Sequence, residues 1–293
     1  MNIVVTGATG FIGGATARLL RQRGHHVIAT GRNREKIETL RRDGIEARRG
    51  DLLDMEFARR MCADQDAVVH CAARVAEHGS LRHFIPDTVD TTRNIINAAV
   101  FASVPRFQFI SSPSTLYGKF GGEDRQEEEV LPMRSLPPYA RAKVLAERLV
   151  KDATDAFESA WILRPQAVFG VGEPHFFPRL LRISERRGIP IRGDGHHLID
   201  VTPIDTVTHA VDYCLGLSRP GLTTCDVSNG DPRPFKILIE QLFNACGERA
   251  RFFRIHPATA FTLAFIVEQA SLLFRAKPFL TPASLSKVLY TRT

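Results

Sequence analysis

Cysteine is scarce in this chain and forms no pattern. Cys62, Cys71, Cys214, Cys225 and Cys246 are odd in number, widely spaced and without a CxxC pair, which argues against both a disulfide framework and a zinc site. A reducing, cytoplasmic setting is expected. Met1 runs straight into an apolar segment, Asn2 to Thr6, so no leader peptide is expected. Histidine adds no metal motif: His25-His26 and His196-His197 are adjacent pairs that point apart, and no HExxH occurs. No metal is expected. Long hydrophobic runs are also missing. The most apolar stretch, Ala258 to Phe274, is interrupted by Glu268 and Gln269 and is too short to cross a bilayer, so a buried or groove-lining helix is expected there rather than a membrane span. Repeats, low-complexity tracts and linkers do not occur.

What remains is ample for a globular enzyme-sized protein. The chain has 293 residues, 44% of them apolar, enough for one large α/β domain with a smaller one attached. Lys and Arg outnumber Asp and Glu by 39 to 32, for a net charge of +7. The cations, Arg18, Arg21, Arg41, Arg42, Arg59 and Arg60 among them, are interleaved with apolar positions and form no basic tail. They read as solvated helix faces rather than a nucleic-acid surface, and the expected partner is a small molecule.

Through the first 165 residues, apolar β-branched runs alternate with helical patterns. Strands are predicted near 2–6, 25–30, 45–48, 66–71, 106–111 and 159–164. Such alternation gives a parallel sheet covered on both faces. After Pro165 the rhythm changes to helices near 176–187, 205–217, 234–246 and 258–274, with extended pieces around 198–201 and 223–227. The fold class expected is α/β: a Rossmann-type doubly wound parallel sheet over residues 1–165, packed without a linker against a smaller C-terminal α/β substrate lobe over 166–293.

Directly behind the first strand stands Thr6-Gly-Ala-Thr-Gly-Phe-Ile-Gly13. Gly7 permits a tight turn, Gly10 lets backbone approach a pyrophosphate, and Gly13 allows close helix-to-strand packing. The helix opening at Phe11 then offers free N–H groups and a positive dipole end. At the end of the second strand, Gly31 leaves no carboxylate to repel a 2′-phosphate, while Arg32 can stack on adenine and grip phosphate oxygens. NADP is therefore the preferred cofactor, with NAD possible. Asp51-Leu52 follows the third strand, where the carboxylate either accepts from the adenine amino group or caps a helix. Ala72-Ala73, after the fourth, are small enough for a ribose to approach the backbone.

Tyr139 and Lys143 stand four residues apart, on one face of a helix that Ser135 and Pro137-Pro138 introduce. A free phenol titrates near 10, and drawing it to about 7 takes about 4 kcal/mol. An ammonium about 4 Å away at an effective dielectric near 20 is worth about that much, so Lys143 is expected to acidify Tyr139. A third group should hold the substrate oxygen. Phe109-Ile-Ser-Ser-Pro-Ser-Thr-Leu-Tyr117 supplies hydroxyls where the fifth strand opens. Ser112 is the first choice and Ser114 the second, with Pro113 between them.

Taken together, TGATGFIG, Asp51-Leu52, Ala72-Ala73, the SSPSTLYG segment, Tyr139 with Lys143, and Leu163-Arg-Pro165 resemble the extended short-chain dehydrogenase/reductase family over nearly the whole chain. Within it, SSPS, LRPQAVFGVGE and GDGHHLIDVTPID are similar to the 3β-hydroxysteroid dehydrogenase-like branch, which includes reductases of lipid-derived β-keto acids. The resemblance implies a ketone-alcohol oxidoreductase with Tyr139 as acid/base, Lys143 on the nicotinamide ribose, and Ser112 or Ser114 polarising the carbonyl. Its implied cofactor-binding set is Gly7, Thr9, Gly10, Phe11, Ile12, Gly13, Arg32, Asp51, Leu52, Ala72, Ala73, Tyr139, Lys143, Pro165 and Val168. It also makes a homodimer through residues 87–103 and 137–155 an expectation.

The rival branch, nucleotide-sugar epimerases and dehydratases using tightly bound NAD, usually carries an asparagine at the position similar to Ala167 and an arginine near Leu198 or Ile199. Their replacement here removes charge-assisted contacts to a diphosphate and points to a more apolar substrate. A third reading, a cofactor-binding protein without chemistry, is open to any such fold. The acidic loop Glu123 to Glu129 reads as a lid of unassigned role.

Overall fold

In the computed structural model, residues 1–76, 79–117, 132–174, 176–273 and 281, 282, 285, 289 and 290 are described. The acidic loop 123–129 lies outside them. The first half alternates as the sequence predicts: β1 (Asn2–Thr6), α1 (Phe11–Gln22), β2 (His26–Gly31), α2 (Arg34–Arg42), β3 (Glu46–Arg49), α3 (Met55–Cys62) and β4 (Ala67–His70). A short α4 (Leu81–Phe84) passes through a π-helical turn, Ile85–Asp90, into α5 (Thr91–Phe101). Then come β5 (Arg106–Ile110), α6 (Pro138–Asp152) and β6 (Ser159–Pro165). Helix starts follow local chemistry. The Asn33 side chain accepts from Lys36 N–H, Asp54 accepts from Glu56 and Phe57 N–H, and Pro138 fills the first turn of α6.

Beyond residue 165 the chain forms β7 (Val168–Phe169), α7 (Phe176–Arg186), β8 (Ile189–Ile191), β9 (Leu198–Ile199), β10 (Thr202–Pro203), α8 (Ile204–Gly216), β11 (Gly221–Val227), β12 (Arg233–Pro234), α9 (Phe235–Ala245), β13 (Phe252–Arg254) and α10 (Pro257–Leu273). One departure from the expected division follows. Strand β11 pairs in parallel with β6 from Gly221↔Ser159 to Val227↔Pro165, so a boundary at 165 does not separate sheet from lobe. With β5 on one side only, β6 would present a row of unpaired backbone N–H and C=O groups on the other, and β11 takes these up.

The sheet has seven parallel strands in the order β11-β6-β5-β4-β1-β2-β3. Ile3, Val4 and Val5 are fully buried because both faces are covered. On one side pack Ala17 and Leu20 of α1, Ile37 and Leu40 of α2, and Val207 and Val211 of α8. On the other lie Phe57 and Met61 of α3, Ile95 of α5, and Ala146 and Val150 of α6. The lobe has its own core around Leu180, Ile189, Ile191, Phe235, Ile239 and Phe243. Strand order reverses between β1 and β4, and the crevice above their carboxyl ends is where such sheets bind ligands.

Candidate active site and dinucleotide cradle

The turn after β1 is shaped for close approach. Gly7 has φ +65°, and a Cβ there would sit 2.6 Å from the Ala72 backbone nitrogen. A Cβ on Gly13 would sit 2.6 Å from the Gly7 carbonyl oxygen. Only glycine lets β1, α1 and the end of β4 meet this tightly. Helix α1 begins at Gly10 with no side-chain cap and no acid in its first turn, so its N-terminal N–H groups face the crevice uncontested. This cradle fits a pyrophosphate. Phe11 reaches toward Gly170, and Ile12 and Val168 pack against the sheet core beneath it.

A buried polar chain fixes the cradle to β4. Thr92 donates to the Thr88 carbonyl at 2.5 Å, so its oxygen accepts from His70 Nε2 at 3.0 Å. His70 Nδ1 is then left to accept the Thr6 hydroxyl at 2.7 Å, and Thr6 Oγ1 accepts the Ala72 N–H at 3.3 Å. Burial, with Lys143 adding to it, pushes the His70 pKa down to about 3, in keeping with this neutral tautomer. Nothing local in the sequence marks His70, because its partners are 22 and 64 residues away.

At the adenosine end, a side chain on Gly31 would come within 2.5 Å of Thr9 Oγ1, so the missing acid at the end of β2 is built into the packing. Arg32 donates to Asp87 Oδ1 at 2.6 Å and lies 3.6 Å from Asp51 Oδ2; the hydrogen bond to Asp87 holds its pKa above the usual value. Asp51 Oδ1 accepts from Leu53 N–H at 3.0 Å, a turn contact, while the cap of α3 is Asp54. Leu52 is buried in the core, and Ala73 is half-buried beside Ala72. Arg49, not anticipated, is the register partner of Gly31 and donates to the Arg32 carbonyl at 3.1 Å. Asp87, also unanticipated, comes from the π-helical turn and lies 3.4 Å from Arg74 as well.

Where β5 opens, Ser112 caps a single 3-10 turn and accepts from the Ser114 N–H at 3.2 Å. The Ser112 hydroxyl hydrogen-bonds with Tyr139. The Ser114 hydroxyl is buried and has no hydrogen-bond partner. The ring of Tyr139 packs edge-on against Phe84 at 6.1 Å.

Lys143 lies one turn on and is 3% exposed. Its ammonium donates to the Ile110 carbonyl at 2.7 Å and sits 4.6 Å over the Phe109 ring. Burial lowers its pKa to about 8, against the pull of Cys71 and Glu147. The same burial pushes the Cys71 thiol up to about 12. The phenol is not acidified as the spacing predicts. Burial raises Tyr139 to about 12, with the Ser112 hydroxyl working against that rise, and the lysine that was to acidify it is engaged with Ile110.

One turn further, Glu147 is buried and takes two hydrogen bonds from Arg164, at 2.9 and 2.8 Å, and one from Ser111 at 2.6 Å. Helix α6 is therefore fastened to the ends of β5 and β6 through two successive inward-facing polar residues. The spacing of Lys143 and Glu147 was a visible signal; Ser111 and Arg164, which complete the fastening, were not. Pro165 ends β6, buried beside this pair. Among the described residues no cluster of side chains could hold a metal ion.

Comparison with known proteins bears on this site. The model of the NAD dependent epimerase/dehydratase family matches residues 3–222. A 2-alkyl-3-oxoalkanoate reductase of Stenotrophomonas maltophilia is 32% identical over 283 residues, covering 94% of this chain and 85% of the relative. A decarboxylating sterol-4-alpha-carboxylate 3-dehydrogenase of Mus musculus is 24% identical, over 95% and 79% of the two chains. Among solved structures, MoeE5 in complex with UDP-glucuronic acid and NAD superposes with a TM-score of 0.74 at 24% identity, covering 100% of this chain and 90% of that one, which speaks for the fold.

Proposed function

The chain belongs to the NAD dependent epimerase/dehydratase family, and from that premise we propose that it is an NAD(P)H-dependent oxidoreductase interconverting a ketone and a secondary alcohol on a largely apolar, lipid-derived β-keto or steroid-like substrate. The observation that carries the reading is the pair of hydroxyls, Ser112 and Tyr139, hydrogen-bonded at the mouth of β5 beside a glycine cradle. Names among the relatives, an oxoalkanoate reductase and a sterol dehydrogenase, support the substrate class. The cradle residues Gly7, Gly10 and Gly13 would hold the pyrophosphate, with Lys143 toward the nicotinamide ribose.

When bound, the nicotinamide supplies or takes up a hydride. The protein's own part is to position and protonate. With its pKa near 12, the Tyr139 phenol stays protonated at neutral pH, which suits donation to the oxygen of a ketone as it becomes an alkoxide. Ser112, whose one hydroxyl proton goes to Tyr139 here, would turn it to that oxygen once substrate is in place, and Ser114, whose buried hydroxyl is unpartnered, is the alternative. The fastening of α6 by Lys143 and Glu147 keeps the two hydroxyls in register.

NADPH is the preferred cofactor in this reading. Gly31 offers no acid, and Arg32 and Arg49 bring two guanidinium groups to the ends of β2 and β3. A 2′-phosphate must share Arg32 with Asp87, so Arg32→Ala is expected to raise the KM for NADPH about tenfold and leave that for NADH nearly unchanged. A graded panel of ketones and secondary alcohols, read by absorbance with each cofactor, tests the activity. Turnover of long-chain β-keto substrates supports the proposal. Tightly held, non-exchanging NAD with thermal protection by UDP-sugars supports the epimerase reading instead. A homodimer through 87–103 and 137–155 and a cytoplasmic location belong to the same proposal, and light scattering checks the former.

A further inference from the structure

Helix α10 is built inside out. Its inward positions are small, Ala260 at 1% and Ala264 at 0% exposure, packed on Leu285 and Leu289. Phe261 packs inward beside them against Tyr290, but three other bulky apolar side chains face away: Leu263 is 48% exposed, Phe265 56% and Ile266 56%. Thr259, Thr262 and Gln269 share that outward face, which carries no charge; the sole charged residue of the helix, Glu268, is half-buried. Leu263, Phe265 and Ile266 stand within four positions of one another on that face, a closer grouping than the scattered hydrophobes of an ordinary surface.

Charge is distributed to match. From Arg251 to Thr293 there are six Lys or Arg and one acid, so these 43 residues hold +5 of the chain's +7. Arg254 is exposed at the end of β13, the element leading into the helix, Arg251 is exposed just before that strand, and Phe253 between them is 40% exposed; Arg254 also feels the carboxylate of Asp194. Arg275 and Lys277 follow the helix in sequence. An exposed apolar face with cations before and after it in sequence suits the surface of an anionic bilayer. No described helix is long and apolar enough to cross one.

We propose that the outward face of α10, led by Leu263, Phe265 and Ile266 and flanked by Arg251 and Arg254, docks the protein on an anionic lipid surface. The helix lies parallel to the membrane with its aromatic and aliphatic side chains at the headgroup boundary. The cations at its start draw it there, and the hydrocarbon holds it. This docking stands on exposure and charge and is independent of the reaction proposed above.

The test is co-sedimentation of the full chain with vesicles of phosphatidylcholine alone and of phosphatidylcholine with phosphatidylglycerol. Binding should favour the anionic vesicles at least about tenfold and weaken with added salt. Phe265→Glu with Ile266→Glu should abolish it, and the milder Leu263→Gln with Ile266→Gln should reduce it about tenfold or more. Both variants should bind NAD(P)H like the parent, a readout of the distant cradle that reports intact folding whatever reaction is catalysed. Equal sedimentation with neutral and anionic vesicles, or parent-like binding by both variants, overturns the proposal. So does failure to bind any vesicle, whether the face is then found covered by the chain's own C-terminal residues or buried in a concentration-dependent dimer that these substitutions dissociate.

Discussion

Helices α6 and α10 are of similar length, 15 and 17 residues, and both set alanines against their neighbours. They differ in what they do with the rest. Helix α6 turns Lys143 and Glu147 inward, where both are less than 5% exposed, and α10 turns Leu263, Phe265 and Ile266 outward. Each breaks the ordinary rule of hydrocarbon in and charge out, in opposite senses. A buried charge survives only with partners, and Glu147 has three hydrogen bonds to hold it. Exposed hydrocarbon needs no partner inside the molecule. The first departure is answered by partners within the molecule, and the second lies open on the described surface.

The sharpest way to break the comparison is at Glu147. Glu147→Gln leaves Arg164 as a buried cation without its counter-charge and should lower stability by about 3–5 kcal/mol in a denaturant titration. A loss under 1 kcal/mol would mean that the fastening of α6 is ornamental.

Protonation probes the same hidden polarity from the sheet side. His70 is held neutral, with a pKa near 3 against about 6.5 in the unfolded chain. Below pH 6.5 the unfolded state takes up a proton that the folded state refuses, so stability is lost as pH falls from 6.5 toward 3 and is untouched by this group above 6.5. The slope should approach about 1.4 kcal/mol per pH unit at its steepest. His70→Gln should flatten it in thermal melts taken across that window.

On α10 the expected effect is the smallest. Phe265→Gln, at a position more than half exposed, should move stability by no more than about 0.5 kcal/mol. A loss of 2 kcal/mol or more in the isolated protein would place this ring in a packed core and remove the contrast between the two helices.

Much of the sheet could be read in advance because its signals are local. Six strands fall within a residue or two of their predicted limits, since all but β3, which reads Glu46-Ala-Arg-Arg49, are short apolar runs bounded by turn residues, and the glycine turn announces itself within eight positions. The pairing of β11 with β6 could not be read, because nothing in Gly221 to Val227 names its neighbour. The site divides the same way. Tyr139 and Lys143 share a helix face by spacing alone. The fate of the lysine depended on Ile110, 33 residues away, and burial reversed the shift expected for the phenol. Arg32 looked unencumbered beside Gly31 until Asp87 arrived from 55 residues on. The overall charge concealed its own unevenness, because a count over 293 residues averages the basic C-terminal stretch into the whole.

In the proposed reading, Tyr139 is the proton donor of a ketone-alcohol oxidoreductase. The most direct measurement compares NAD(P)H affinity, by fluorescence, with turnover of an active substrate in Tyr139→Phe. Affinity should stay within about twofold of the parent while the rate falls by about 10²–10⁴-fold. A variant that keeps most of its rate with the cofactor bound would contradict the assignment.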